Sequence, residues 1–153
     1  MAAPCRLILA LDVETKEEAL ALAKPLAGNL AWVKLGLQLF TRHGPGIVDE
    51  FHALGFKVFL DLKFHDIPNT VAQAVESAVA TGAWMINVHA SGGVPMMKAA
   101  ATAGADTAAR LDVPPPLIIA VTVLTSMDEP TLRETGVNRP LVDHVVALAQ
   151  MAK

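Results

Sequence analysis

Cysteine occurs once, as Cys5, so this 153-residue chain can build neither a disulfide framework nor a thiol pair for a metal, and a reducing compartment is expected. Charge is scarce as well: 18% of residues are charged and the formal net charge is -3, which argues against nucleic acid or another polyanion as partner. With 53% hydrophobic residues the chain has the material for a core and lacks the composition of a disordered protein. Long apolar runs are missing too. Leu117-Ile118-Ile119-Ala120-Val121 soon gives way to polar residues, well short of the ~20 that a membrane span needs. Met1-Ala2-Ala3-Pro4-Cys5-Arg6 leads straight into a strand pattern without an export leader, so the expected location is cytoplasmic.

What is present is a rhythm. Short apolar runs, expected as strands over 7–13, 32–35, 57–62, 85–89 and 117–124, alternate with longer Ala-rich helical stretches. Strands apolar on both faces imply a parallel sheet covered by helices, hence an α/β protein with right-handed crossovers. Thr15 with Glu18 and Ser126 with Glu129 are spaced as capping boxes, Pro68 suits a first helical turn, and Gly82, Gly104 and Gly136 are placed to end helices. Pro114-Pro115-Pro116 stiffens the approach to the fifth strand without breaking the rhythm, so residues 1–153 are expected to form one domain.

The densest chemistry lies in Asp61-Leu62-Lys63-Phe64-His65-Asp66-Ile67-Pro68-Asn69-Thr70, at the end of an apolar strand. Residues i and i+2 of a strand share a face, which sets Asp61 beside Lys63. An ion pair closing off a strand, with Asp66 capping the next helix, is the plain explanation. Against it stands the desolvation cost of facing charges at a buried strand end, which favours chemistry. Polar residues also mark the carboxyl ends of the other strands: Asp12, Lys34, His89, Thr122 and Ser126. In a (β/α)8 TIM barrel that rim carries the catalytic groups. Such barrels typically need ~250 residues, and about five βα units are present here, so the expected fold is an incomplete barrel. An open flavodoxin-like sheet would call for a glycine-rich phosphate turn, and Asp12-Val13-Glu14-Thr15 is not one.

Asp61-x-Lys63-x-x-Asp66-Ile-Pro-Asn-Thr70, preceded by Lys34 and by Leu9-Ala10-Leu11-Asp12, resembles the orotidine 5'-phosphate decarboxylase family in its bacterial form. Val88-His89-Ala90-Ser91-Gly92-Gly93 and Val121-Thr122-Val123-Leu124-Thr125-Ser126-Met127 extend the likeness along the chain. The Asp-x-Lys-x-x-Asp core is shared with magnesium-dependent sugar-phosphate decarboxylases and hexulose-phosphate aldolases. Those relatives carry a metal-binding glutamate where this chain has Lys34, and an ammonium cannot ligate a cation. The resemblance therefore implies conversion of orotidine 5'-phosphate (OMP) to UMP and CO2 with no metal and no cofactor.

The resemblance also assigns roles. Lys63 would be the proton donor, Asp61 would lie beside the departing carboxylate, and Lys34 and Asp12 would hold the ribose, in a Lys34–Asp61–Lys63–Asp66 charge row. Asp66 and Thr70 would reach across a homodimer interface to the partner's substrate, and Ser126 would recognise the pyrimidine amide or serve as a helix cap. His89 carries no metal motif and is as well explained as a structural group; His43, His52, His65 and His144 are expected at the surface or behind the site. Full members of the family continue through three more strands that grip the substrate phosphate. On this reading the 153-residue chain holds the catalytic charges without that clamp and is a poor catalyst alone, or a non-catalytic half-barrel.

Overall fold

The computed structural model describes residues 7–153, so Cys5 and the opening segment fall outside the described residues. Five strands, β1 (Ile8–Ala10), β2 (Trp32–Gly36), β3 (Lys57–Phe64), β4 (Met85–His89) and β5 (Leu117–Val121), form one parallel sheet in the order β1-β2-β3-β4-β5. Between and after them lie α1 (Lys16–Ala23), α2 (Leu37–His43), α3 (Gly46–Ala53), α4 (Pro68–Ala80), α5 (Gly93–Leu111), α6 (Glu129–Glu134) and α7 (Leu141–Ala152). Strands in strictly sequential order are the wall of a (β/α)8 barrel, whereas a flavodoxin-like sheet would fold back to place its second strand outside the first. Among the described residues the arc stays open, with β1 and β5 at its edges.

Alternation along the strands sorts the side chains. Val33, Leu35, Val58, Leu60, Ile86 and Val88 are buried together with Ile47, Val48 and Phe51 of α3, Val71 and Val75 of α4, and Met96 and Ala100 of α5. The other face carries Lys34, Asp61 and Asn87, and at β5 it opens: Leu117 and Ile119 are 49% and 39% exposed. A sequential parallel order with right-handed crossovers puts the helices on one face, so the covering expected on both faces exists on one.

Local signals explain most element ends. Thr15 and Glu18 make both bonds of the capping box at α1, and Pro68 opens α4. Gly82 and Gly136 follow the ends of α4 and α6 with φ of 82° and 86°. Two expectations are corrected. Gly104 sits inside α5, where a Cβ would lie 3.4 Å from Ile118 Cδ1, so its bareness admits close helix–strand packing; α5 ends instead on left-handed Asp112. The cap of α6 is Asp128, whose carboxylate accepts the Thr131 N–H at 2.9 Å, and not Ser126. β5 stops at Val121 rather than residue 124, because its partner β4 ends at His89, opposite Val121.

Phe51 is fully buried between α3 and the sheet. Phe51→Ala should cost about 3–5 kcal/mol, the usual range for deleting a buried ring. Denaturant unfolding would show this as a lower midpoint at unchanged slope; a loss under about 1 kcal/mol would mean that Phe51 is not part of a packed core.

Candidate active site

The site grows from an irregularity at the end of β3. Leu60 pairs with Ile86 of β4, but the next pair is Phe64 with Val88, so Asp61, Leu62 and Lys63 stand opposite the single residue Asn87. Lys63 takes up the slack in the left-handed region, φ 51°, a conformation that costs a non-glycine residue of the order of 1 kcal/mol or more. Asp61 and Lys63 do meet, but across a bulge rather than by the plain alternation of an extended strand.

Their side chains continue a chain of ion pairs. Lys63 Nζ lies 2.6 Å from Asp61 Oδ1, Lys34 Nζ lies 3.2 Å from Asp61 Oδ2, and Lys34 Nζ lies 2.7 Å from Asp12 Oδ1. Four strands supply it: Asp12 follows β1, Lys34 is on β2 and Asp61 and Lys63 on β3, while Asn87 of β4 donates from Nδ2 to Asp61 Oδ1 at 2.6 Å. Gly36, opposite Asp61, leaves room, since a Cβ there would lie 3.4 Å from Asp12 Oδ1 and 3.7 Å from Lys34 Nζ. Exposure grades along the row: the Asp61 side chain is 10% exposed, Lys63 31% and Asp12 66%. Asp61 is thus the desolvated centre, and Asp12 contributes as a screened surface partner.

Burial by itself would raise the Asp61 pKa, but hydrogen bonds from Lys63, Asn87 and Lys34 outweigh it and hold the carboxyl below its ordinary value. For Lys34, burial works against the charge, and Asp12 and Asp61 overcome it to raise the pKa above its ordinary value. A fixed anion between two ammonium groups, one of them reaching partly into solvent, can hold an anionic group at one end and deliver a proton at a defined point.

Other expected residues lie elsewhere in this single chain. Asp66 is exposed and its carboxylate accepts the Ile67 N–H at 2.6 Å, so the row runs Asp12–Lys34–Asp61–Lys63 and does not continue to Asp66. Thr70 is exposed on the first turn of α4, and Ser126 is exposed between β5 and α6. His89 ends β4 with its ring 5.3 Å from that of His65; burial, then His65 and Lys63, lower its pKa. Both histidines, Thr122 and His144 line an open cleft of about 400 Å³ that none of the row's side chains enters. His43, at the end of α2, and His52, in α3, are half-buried and take no part in the row. Asn87 is the functional group that the sequence did not reveal. An asparagine in the middle of an apolar strand was its one visible signal.

Residues 5–153 match the model of the family described as "Orotidine 5'-phosphate decarboxylase / HUMPS family". The chain is 53% identical over 146 residues to an orotidine 5'-phosphate decarboxylase of Alcanivorax borkumensis, covering 95% of this chain and 61% of that protein. Among solved structures it resembles an uncharacterized conserved protein from Geobacillus kaustophilus (TM-score 0.89, 44% identity, 95% of this chain and 67% of the other). It also resembles orotidine 5'-phosphate decarboxylase from Lactobacillus acidophilus (TM-score 0.87, 34% identity, 96% and 66%). The chain spans about 61% of the length of the curated relatives it matches.

Within the row, the displaced pKa values of Asp61 and Lys34 set a pH window. Asp61, held low, gives stability that is present above the ordinary carboxylate range and is lost as pH falls through its lowered value. Lys34, held high, gives stability that is present below its ordinary range and is lost as pH rises through its raised value. Asp61→Asn should cost about 3 kcal/mol near neutrality, by leaving Lys63 without its anion and Lys34 with the exposed Asp12 alone, and should flatten the acid limb. Unfolding midpoints across the acid range check this; an acid limb as steep in Asp61→Asn as in the wild type would contradict it.

Proposed function

Because the chain belongs to the orotidine 5'-phosphate decarboxylase / HUMPS family, we propose that it carries the catalytic charge row of an orotidine 5'-phosphate decarboxylase, a carboxy-lyase of pyrimidine biosynthesis. The observation that carries this reading is the Asp12–Lys34–Asp61–Lys63 chain of ion pairs, with contacts of 2.7, 3.2 and 2.6 Å. When the C6–carboxylate bond of OMP breaks, CO2 leaves and the electron pair stays on C6, in the ring plane, with no neighbouring carbonyl to delocalise it. The Lys63 ammonium beside C6 stabilises that pair and then transfers its proton to it, giving UMP; solvent reprotonates the amine. Asp61 keeps Lys63 charged and aimed, and like-charge repulsion with the substrate carboxylate is relieved as CO2 departs. Lys34 and Asp12 bind ribose hydroxyls.

Further parts of the proposal rest on the family motif. Residues 1–153 act as one domain, two copies pair, and Asp66 with Thr70 reaches the substrate held by the partner; their exposure leaves them available for that contact. Ser126 binds the pyrimidine amide. The place of action is the cytoplasm; among the described residues no helix is long and apolar enough to cross a membrane. Lys34 also bears on the magnesium-dependent alternative: its ammonium stands between Asp12 and Asp61, where those relatives carry a metal-binding glutamate, and cannot ligate a cation.

A charge pair at 4 Å is worth about 4 kcal/mol at an effective dielectric of 20, whereas demanding enzymes lower barriers by roughly 23 kcal/mol. Binding energy from the remote phosphate is the natural source of the difference. The chain spans 61% of its relative's length, and the 153 residues alone are proposed to be a slow catalyst.

The test is UMP formation from OMP by the purified chain, in chelator, beside Lys63→Ala. Turnover should be slow, indifferent to chelation, and at least about a hundredfold lower in Lys63→Ala, as expected for losing a general acid. Equal rates in the two proteins, or turnover of a sugar phosphate that chelation abolishes, would sink the reading.

A further inference from the structure

We propose that Asn87 is the positioning residue of this site, its side-chain amide holding the Lys63 backbone in its left-handed conformation with one end and the Asp61 carboxylate with the other. The inference rests on the decarboxylase reading, in which Lys63 is the acid, and adds a residue through which that acid is aimed.

The bulge creates the need. With three residues of β3 facing one of β4, the Lys63 N–H has no ladder carbonyl to meet, and a buried donor left unpaired is expensive. The Asn87 side chain fills the gap: its Oδ1 accepts the Lys63 N–H at 2.8 Å. Its Nδ2 donates to Asp61 Oδ1 at 2.6 Å, the same oxygen that meets Lys63 Nζ at 2.6 Å. Asn87 is 3% exposed, so water is a poor substitute for either bond.

Only an amide meets both demands at this length. Leucine, of similar volume, offers neither bond. Aspartate could accept from the Lys63 N–H but would set a second carboxyl against Asp61. Both ends of Asn87 therefore act on one geometry: the first sets where the Lys63 side chain leaves the backbone, and the second sets the plane of the carboxylate it leans on. Losing either lets the amine drift, and displacements of about 1 Å near reacting atoms are costly. The same amide also helps Lys63 to keep Asp61 ionised.

The experiment compares wild type, Asn87→Leu and Asn87→Asp by amide hydrogen exchange at Lys63, NMR titration of the Asp61 carboxyl carbon, and OMP turnover. In the wild type the Lys63 amide should be protected like the β3 ladder amides. Asn87→Leu should speed its exchange at least about tenfold, the equivalent of 1.4 kcal/mol, and raise the Asp61 titration midpoint. Asn87→Asp separates the two bonds: protection at Lys63 survives while the Asp61 midpoint rises. In both variants kcat should fall about tenfold or more with KM within about twofold, the mark of an effect confined to the reacting groups.

A wild-type Lys63 amide exchanging at loop rates, or an Asp61 midpoint unmoved in Asn87→Asp, overturns the proposal even if Asn87→Leu fails to fold. Exchange and titration need no turnover. If the wild type does not decarboxylate OMP, the functional reading fails while the role of Asn87 in holding Lys63 is still decided; if it does and the Asn87 variants match it in all three readouts, Asn87 alone is refuted.

Discussion

One buried anion organises this molecule. Asp61 is buried, 7% exposed, on the sheet face that also carries Lys34 and Asn87, and removing a carboxylate from water is tolerated only with several charged or polar partners in place. Those partners come from neighbouring strands: Lys34 from β2, Lys63 from β3 itself and Asn87 from β4. The sheet cannot shift register between β2 and β4 without stranding the charge. A local electrostatic demand thereby fixes the alignment of three strands, in the same direction as the burial of Val33, Leu35, Val58, Leu60, Ile86 and Val88 on the opposite face.

The bulge at the end of β3 serves the same demand. A regular strand would carry Lys63 extended along the ladder, whereas three residues opposite one, with Lys63 at φ 51°, turn its amine back onto Asp61. Strain of this kind persists only where surrounding contacts fix it, and here the Lys63 N–H is bonded to Asn87 Oδ1 while the Lys63 amine is paired with Asp61. Helix α4 then starts at Pro68, and His65 and Asp66 occupy the turn between. Asp66 is drawn to the local Ile67 N–H and stays out of the row within this chain.

The parts of the fold set by short-range physics were readable from the residues. Alternating apolar runs gave five parallel strands, with β4 placed to the residue, and the capping box at Thr15 and the proline at the start of α4 stand where their chemistry requires. Reading went wrong where tertiary contact overrides local preference. Gly104 serves the approach of α5 to Ile118 instead of ending the helix, and Asp128 outcompetes Ser126 as a cap by lying next to the helix start. β5 is shorter than its apolar run because its neighbour β4 ends opposite Val121, and β1 pairs only over Ile8–Ala10 of its run.

By itself the sequence determined which ionisable groups stand at strand ends, the spacing of Asp61 and Lys63, and the order of elements that brings Asp12 and Lys34 to the same rim, since periodicity and chain order act within a few residues. Only the tertiary structure decided that Asn87 joins the cluster, that Lys63 turns through a left-handed residue, and that Asp66 turns to the Ile67 N–H within its own chain. The reason is that which side chain meets which across a parallel sheet depends on register. Register is settled by strand and helix packing together with the cross-strand partners that Asp61 requires, and these are contacts between residues far apart in the chain.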